Sequence, residues 1–296
     1  MGLSKNVLGH VYEQVLRKAR RPHSRICSLK KVTIVSTWNE RCGIADYSAF
    51  LANELKKKSI RLYITPISRN LKMNPMYFFI LGYKAGKCCD VVHIQFEYGL
   101  WPDLKMGKYF FQTFGAFIFN IGLLWSNSHV VTTFHEVIKE PEIWRGGKVG
   151  WHYKKLFDRI ICDVSDFIIV HAFASKNGIE HEELLSKMCR NRSKIKVIPH
   201  GTYEKPLILD KELCKAKLRL RKRIITVFGF IHEQKGHDLL VDIIPLLDKD
   251  IHILIAGGPR LPEHEAYYET LKKKAQQLDC IERISFLGYV PQAELP

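Results

Sequence analysis

The sequence predicts an α/β protein of two doubly wound domains, each a parallel sheet covered by helices on both faces. Three observations predict it. Short apolar runs recur along the chain, with helical patterns between most of them. Two of the later runs close on glycine: Ile224–Phe228 on Gly229, and Ile251–Ala256 on Gly257 and Gly258. Between the two sets of runs, Gly201–Leu213 carries Pro206 and no hydrophobic period, which reads as a connector.

In chain order, residues 1–30 form a basic N-terminal segment with Arg17, Lys18, Arg20, Arg21 and Arg25. Val7, Leu8, Val11, Val15 and Leu16 fall on one face of a short helix, which suits packing on the protein or resting on an anionic membrane. Asn6 breaks the myristoylation pattern after Gly2. Residues 31–205 are expected to form the first domain. Its strands are Val32–Thr37, Leu62–Thr65, Val91–Ile94, Val130–Phe134, Phe167–Val170 and Ile195–Ile198.

The first helix of that domain turns Tyr47, Phe50, Leu51 and Leu55 inward. Tyr109–Trp125 is the most apolar stretch, interrupted by Gln112, Thr113 and Asn120; it predicts a buried helix rather than a membrane span. With Met76–Gly82 it leaves partial docking on a membrane open. Residues 206–222 connect to a second, partial domain, 223–296, with strands Ile224–Phe228, Ile251–Ala256 and Ile284–Leu287. Its helices place Leu239, Leu240, Ile243, Ile244 and Leu247 on one stripe, and Tyr267, Leu271, Ala275 and Leu278 on another over Glu263–Leu278. Three strands make a partial sheet, expected to present an open edge and an apolar face.

The 296 residues hold 46 Lys and Arg against 30 Asp and Glu, a net charge of +16. That balance suits phosphorylated substrates or an anionic membrane surface. No zinc-finger, RNA-recognition or homeodomain pattern accompanies it, so no nucleic-acid partner is expected. The eight cysteines show no C-x-x-C and no secretory leader opens the chain, which points to a reducing, cytoplasmic setting, peripheral at the inner membrane face if membrane-associated.

The chemistry concentrates at strand ends. Gly229, Lys235, Gly236, Gly257 and Gly258 belong to a strand–helix–strand unit whose glycines admit a ligand to the backbone. A lysine and a helix N-terminus there supply positive charge for a phosphate. Gly43, in Cys42–Tyr47 at the mouth of the first helix, opens a similar approach, and Asp46 and Tyr47 beside it suit an acceptor. His135 ends a strand where ligands of open α/β sheets sit, fit to hydrogen-bond a sugar hydroxyl. His93, Gln95, Glu97 and Tyr98 cluster after another strand, in a position suited to acceptor recognition, and His200 ends the sixth.

Several alternatives fail on spacing. Lys139 breaks H-E-x-x-H, and Gly82–Cys88 is one residue short of a P-loop. Asp248-Lys249-Asp250 has the form of a manganese-binding D-x-D but lies between a helix and a strand. No metal and no cofactor are expected.

RCGIADYSAFLANEL (41–55), DVVHIQFEYGLW (90–101), VVTTFHEV (130–137), FIIVHA (167–172), KVIPHGT (196–202), the Gly229–Lys235-Gly236 turn, the Ala256–Pro259 strand end and FLGYVPQAELP (286–296) occur in order. Together they resemble glycosyltransferase family 4 over roughly residues 31–296. The resemblance implies a GT-B fold of two facing Rossmann-like domains and retaining transfer of a sugar from a nucleotide-sugar to a saccharide or lipid-linked acceptor. It implies Gly43 under the donor diphosphate, Lys235 as the electrophile in place of a metal, His135 near the reacting carbon, and Tyr289 with the donor-binding residues. Phe230 stands where the family commonly has an arginine, and the spacing of the family's E-x7-E pair occurs only at Glu204 and Glu212, in the connector and by chance, so the sequence reads as a truncated member. Two rivals remain: a nucleotide-sugar epimerase, which lacks an evident carboxylate pair, and a non-catalytic nucleotide-sugar-binding or scaffold protein derived from the fold.

Overall fold

The computed structural model describes residues 31–40, 42–67, 73–138, 147–171, 185, 189–201, 210–217, 223–259 and 262–290. The basic N-terminal segment, and the connector's Glu204 and Pro206, lie outside them. The chain divides into two compact units, Met1–Thr202 and Tyr203–Pro296.

The first unit is a six-stranded parallel sheet. In chain order its strands are β1 (Lys31–Ser36), β2 (Arg61–Pro66), β3 (Val91–Phe96), β6 (His129–Phe134), β7 (Phe167–Val170) and β8 (Ile195–Val197), with spatial order β2-β1-β3-β6-β7-β8. Each neighbouring pair is parallel and in continuous register. The order reverses between β1 and β3, and in such sheets ligands sit beyond the strand carboxyl ends at that reversal.

Strict alternation along the strands makes two cores. Val32, Ile34, Val91, Val131, Phe167 and Ile169 face helix α1 (Gly43–Lys56), where they meet Leu51, Ala52 and Leu55. Val35, Val92, Ile94, Phe96, Val130, Phe134, Ile168 and Val170 face the other way. That side is covered by α2 (Pro75–Cys88), α3 (Phe114–Leu123) and α4 (Gly147–Val164). α2 starts cleanly: the Asn74 side chain accepts from Tyr77 N at 3.1 Å and Pro75 occupies the first turn.

α2 and α3 pack backbone against backbone. A Cβ on Gly82 would lie 2.1 Å from the Phe119 carbonyl oxygen, and one on Gly122 would lie 2.3 Å from that of Phe79. Gly82, the first glycine of the run that falls short of a P-loop, therefore serves helix packing.

Tyr109–Trp125 departs from expectation. It is not one helix. Strands β4 (Leu104–Met106) and β5 (Tyr109–Phe111) form a hairpin, and α3 begins only at Phe114. Gly107 at φ +56° allows the tight turn, and Thr113 at φ +62° leads into α3. Thr113 is held there: its N–H donates to Asp103 Oδ1 at 2.6 Å and its hydroxyl donates to the Tyr98 carbonyl.

The second unit is a three-stranded parallel sheet, β11-β10-β9, formed by β9 (Arg223–Phe228), β10 (Ile251–Ala256) and β11 (Ile284–Gly288). Helices α6 (His237–Ile243) and α7 (Glu265–Gln277) bring Val241, Leu271 and Ala275 onto Ile253, Ile255 and Ile284. A short α5 (Lys211–Lys217) precedes the sheet. α7 starts two residues later than expected because Pro262–His264 forms a 3-10 turn. β9 pairs only with β10 among the described residues and leaves Ile225 and Phe228 exposed.

Candidate functional site

The strand parity that builds the α1-side core also builds a polar cluster. Beyond Val91 the same face receives His93 and Gln95; beyond Val131 it receives Thr133 and His135; beyond Ile169, His171; beyond Ile198, His200. At the carboxyl ends of the strands, aliphatic side chains thus give way to hydrogen-bonding ones under α1.

Their contacts form a chain. Thr133 Oγ1 donates to His93 Nε2 at 2.8 Å, and Gln95 Nε2 donates to the same nitrogen at 3.1 Å. Gln95 Oε1 accepts from His135 Nε2 at 2.9 Å. This assigns the tautomers: His93 accepts through Nε2, and His135 carries its proton on Nε2 with its Nδ1 lone pair directed elsewhere. Burial keeps both rings neutral. Desolvation, reinforced by neighbouring histidines, lowers His93 and His135 to about 3 from the ordinary 6.5.

Tyr47 covers the cluster. Its ring meets His135, His171 and His200 edge-on at centroid distances of 5.1, 5.3 and 5.1 Å. Burial pushes its phenol well up, so it stays protonated. His171 Nδ1 donates to the Ile198 carbonyl at 2.9 Å, and His200 Nδ1 to that of Gly201 at 3.1 Å. At the mouth of α1, Gly43 and Asp46 are exposed, and desolvation raises the Asp46 carboxyl. A Cβ on Gly43 would meet nothing within 4 Å. The fold itself does not require glycine there.

Two expected acceptor contacts are corrected. His93 has no exposed surface and spends its outer nitrogen on Thr133 and Gln95, so it supports His135 from behind. Tyr98 is equally enclosed: its hydroxyl donates to Asp158 Oδ1 at 2.9 Å, and Asp158 Oδ2 holds Lys154 Nζ at 2.6 Å. Desolvation raises the Asp158 carboxyl even against that ammonium. Glu97 stays half-buried after β3, near enough to Glu136 to help desolvation raise the latter's carboxyl.

Sequence reasoning did not reach His171, or the buried Lys154–Asp158 pair. His171 was detectable by parity, two residues past Ile169. Lys154–Asp158 has helical i,i+4 spacing, but nothing local shows that this stripe of α4 is the buried one.

In the second unit the strand ends converge. Gly229 N donates to the Ala256 carbonyl and Ile231 N to that of Gly258, each at 3.0 Å. Gly257, at φ +159°, lies so close to the β9 loop that a Cβ there would fall 1.7 Å from the Gly229 carbonyl oxygen. Gly229 itself has φ +129°, a conformation reserved for glycine. Gly258 abuts the Tyr289 backbone, and the Tyr289 ring stacks on Phe230 at 6.3 Å.

Lys235 is exposed on the 3-10 turn after β9, and Gly236 at φ +68° leads into α6. Asp248 and Asp250 are held by Arg223 at 2.7 and 2.6 Å, on the turn that enters β10 and therefore at the opposite end of the strand from Gly257.

The architecture is that of the GT-B glycosyltransferases. The chain superimposes on the crystal structure of Anabaena Alr3699/HepE in complex with UDP and glucose with a TM-score of 0.57, at 13% identity, covering 88% of this chain and 70% of that one. A glycosyltransferase from Rickettsia africae ESF-5 matches with a TM-score of 0.55 and 18% identity, over 88% and 69%.

The family model described as Glycosyl transferases group 1 matches residues 210–296. Mannosylfructose-phosphate synthase of Agrobacterium fabrum (strain C58 / ATCC 33970) is 22% identical over 54% of this chain. The chain spans 41% of that relative's length. No helix among the described residues is long and apolar enough to cross a membrane.

Proposed function

We propose that this chain transfers a sugar, with retention of configuration, from a nucleotide-sugar to a saccharide or lipid-linked acceptor. The observation that carries the reading is the convergence of the β9, β10 and β11 ends on glycine: Gly229, at φ +129° with nothing within 4 Å of an added Cβ, beside a loop that offers Lys235. A glycine-lined strand end beside one ammonium suits a diphosphate. UDP-sugars are the first donors to try, because the similar Anabaena structure holds UDP and glucose.

In this reaction the acceptor hydroxyl oxygen bonds to the anomeric carbon while the bond from that carbon to the diphosphate oxygen breaks. The hydroxyl proton leaves with the diphosphate. Lys235 stabilises the charge that develops on the leaving group. His135 accepts a sugar hydroxyl through Nδ1, its Nε2 being committed to Gln95. Gly43 gives the diphosphate room, and Asp46, Tyr47 and Glu97 border the acceptor.

A lipid-linked acceptor fits one further surface. Met76, Tyr77, Ile80 and Tyr83 are exposed along α2 beside Lys84 and Lys87, and Trp125 stands out next to them. Apolar side chains rimmed by ammonium groups suit an anionic membrane surface.

The second reading, a binder without turnover, is favoured by Phe230, whose ring lies where a second phosphate cation is expected and stacks on Tyr289 instead. A panel of nucleotide-sugars separates the two. A rise in melting temperature with product formation supports the transferase, a rise without it the binder, and the absence of both overturns the donor site.

A further inference from the structure

His135, His171 and His200 each bring one ring nitrogen within 4.8 Å of the other two. One nitrogen of each ring is tied to a carbonyl oxygen: His135 Nε2 to the Gln95 amide, His171 Nδ1 to Ile198, His200 Nδ1 to Gly201. Imidazoles that bind metals show this arrangement almost always, because the outer hydrogen bond fixes the tautomer and aims the other lone pair.

We propose that these three histidines form a site for one divalent ion of the zinc class. The ligand set is chemically apt: three imidazoles suit zinc, and they leave a fourth position for water or an incoming oxygen. Zinc–nitrogen bonds of about 2.0–2.1 Å require each ring to close by about 1 Å, within reach of side-chain rotation. The burial gradient gives the ion a path, from exposed His200 past half-exposed His135 to buried His171. Tyr47, edge-on to all three rings, limits how far they can part. Asp248 and Asp250 do not compete, since Arg223 already neutralises them.

The site has a consequence that rests on the transferase reading. An ion on His135 Nδ1 occupies the lone pair assigned to the sugar hydroxyl, so metal and donor sugar exclude each other and zinc inhibits.

The test uses the full chain without an affinity tag, stripped by chelation and titrated with Co2+. The expected result is visible absorption of four- or five-coordinate cobalt that saturates at one ion per chain and is displaced by Zn2+. His200→Ala, at an exposed position, and His171→Ala should each weaken it at least tenfold while circular dichroism stays native, and His232→Ala should leave it unchanged. Absence of saturable absorption overturns the proposal, as does saturation that survives both cluster variants or is lost with His232→Ala. If His171→Ala fails to fold, His200→Ala alone decides. No substrate enters this titration, so its failure and the failure of the transferase reading are distinguishable. Zinc inhibition of sugar transfer, relieved by chelation, tests the consequence separately.

Discussion

Gln95 Oε1 lies 2.9 Å from His135 Nε2, and this one contact decides which nitrogen His135 presents to a ligand. The amide can accept there because its own NH2 is engaged with His93. Replacing Gln95 by Leu should remove the accepting oxygen while leaving His93 and His135 with unmet hydrogen-bonding capacity. The expected cost is about 1–3 kcal/mol of stability, read as a lower urea midpoint. His135→Ala should lower the transfer rate more than nucleotide affinity, because the ring is assigned to the sugar. Collapse of nucleotide affinity with normal turnover of bound donor would contradict that role.

The two desolvated imidazoles, His93 and His135, also set a pH dependence. His93 and His135 have native values near 3 against an ordinary 6.5. Above pH 6.5 neither state is protonated and their contribution is fully present. As pH falls from 6.5 toward 3, the unfolded chain takes up protons that the native state refuses, and stability is lost. At pH 5 the loss is about 2 kcal/mol per histidine. Urea midpoints measured at pH 7 and pH 5 should differ accordingly, and His93→Gln should flatten the difference. A midpoint unchanged between those pH values would show that these rings are not kept neutral.

Glycines divide into two kinds, and substitution should tell them apart. Gly82→Ala places a methyl 2.1 Å from the Phe119 carbonyl oxygen, so α2 and α3 must separate. A loss of about 1–3 kcal/mol is expected, read as a lower melting temperature. Gly43→Ala meets nothing within 4 Å and should keep the melting temperature, yet weaken nucleoside diphosphate binding. Stable Gly82→Ala protein would refute the close helix contact. Unchanged diphosphate affinity in Gly43→Ala would remove Gly43 from the donor site.

This contrast shows what the sequence can and cannot disclose. The parallel strands were legible because each is a short apolar run bounded by polar or glycine-containing turns. The observed bounds of β7 and β10 coincide with the expected ones. The hairpin at Leu104–Phe111 was not legible, since Tyr109–Phe111 merges into the apolar run of α3 and only Gly107 marks the turn. Gly43, Gly82 and Gly257 look alike as letters. Open space, a neighbouring helix and a neighbouring loop distinguish them, and each of those is tertiary. His93 and His135 were both recognised as strand-end histidines. Which one is enclosed depends on α1 lying over the sheet, which no local pattern reports.

Lys235→Ala tests the donor half. The ammonium is exposed on its turn, so its removal should not unfold the unit. A charge-assisted phosphate contact contributes about 1.5–3 kcal/mol, so affinity for a nucleoside diphosphate should fall roughly 10- to 100-fold. Titration with UDP, GDP and ADP reads this directly. Equal affinity of variant and parent for all three would sink the assignment of Lys235.

Sugar transfer should survive excess EDTA. Metal-dependent transfer needs carboxylates free to hold a cation beside the diphosphate. The only D-x-D, Asp248 and Asp250, is bound to Arg223 at the start of β10, while the glycine-walled opening lies at the strand's other end. In the proposed reaction the charge on the departing diphosphate is left to Lys235, which chelation does not touch. The histidine cluster sharpens the expectation. An ion there would withdraw His135 from the sugar, so chelation should leave the rate unchanged in metal-free protein and raise it in zinc-loaded protein. Initial rates with and without EDTA, each repeated after zinc loading, make the comparison. A rate abolished by EDTA and restored by Mn2+ would show that a cation, rather than Lys235, carries the leaving group.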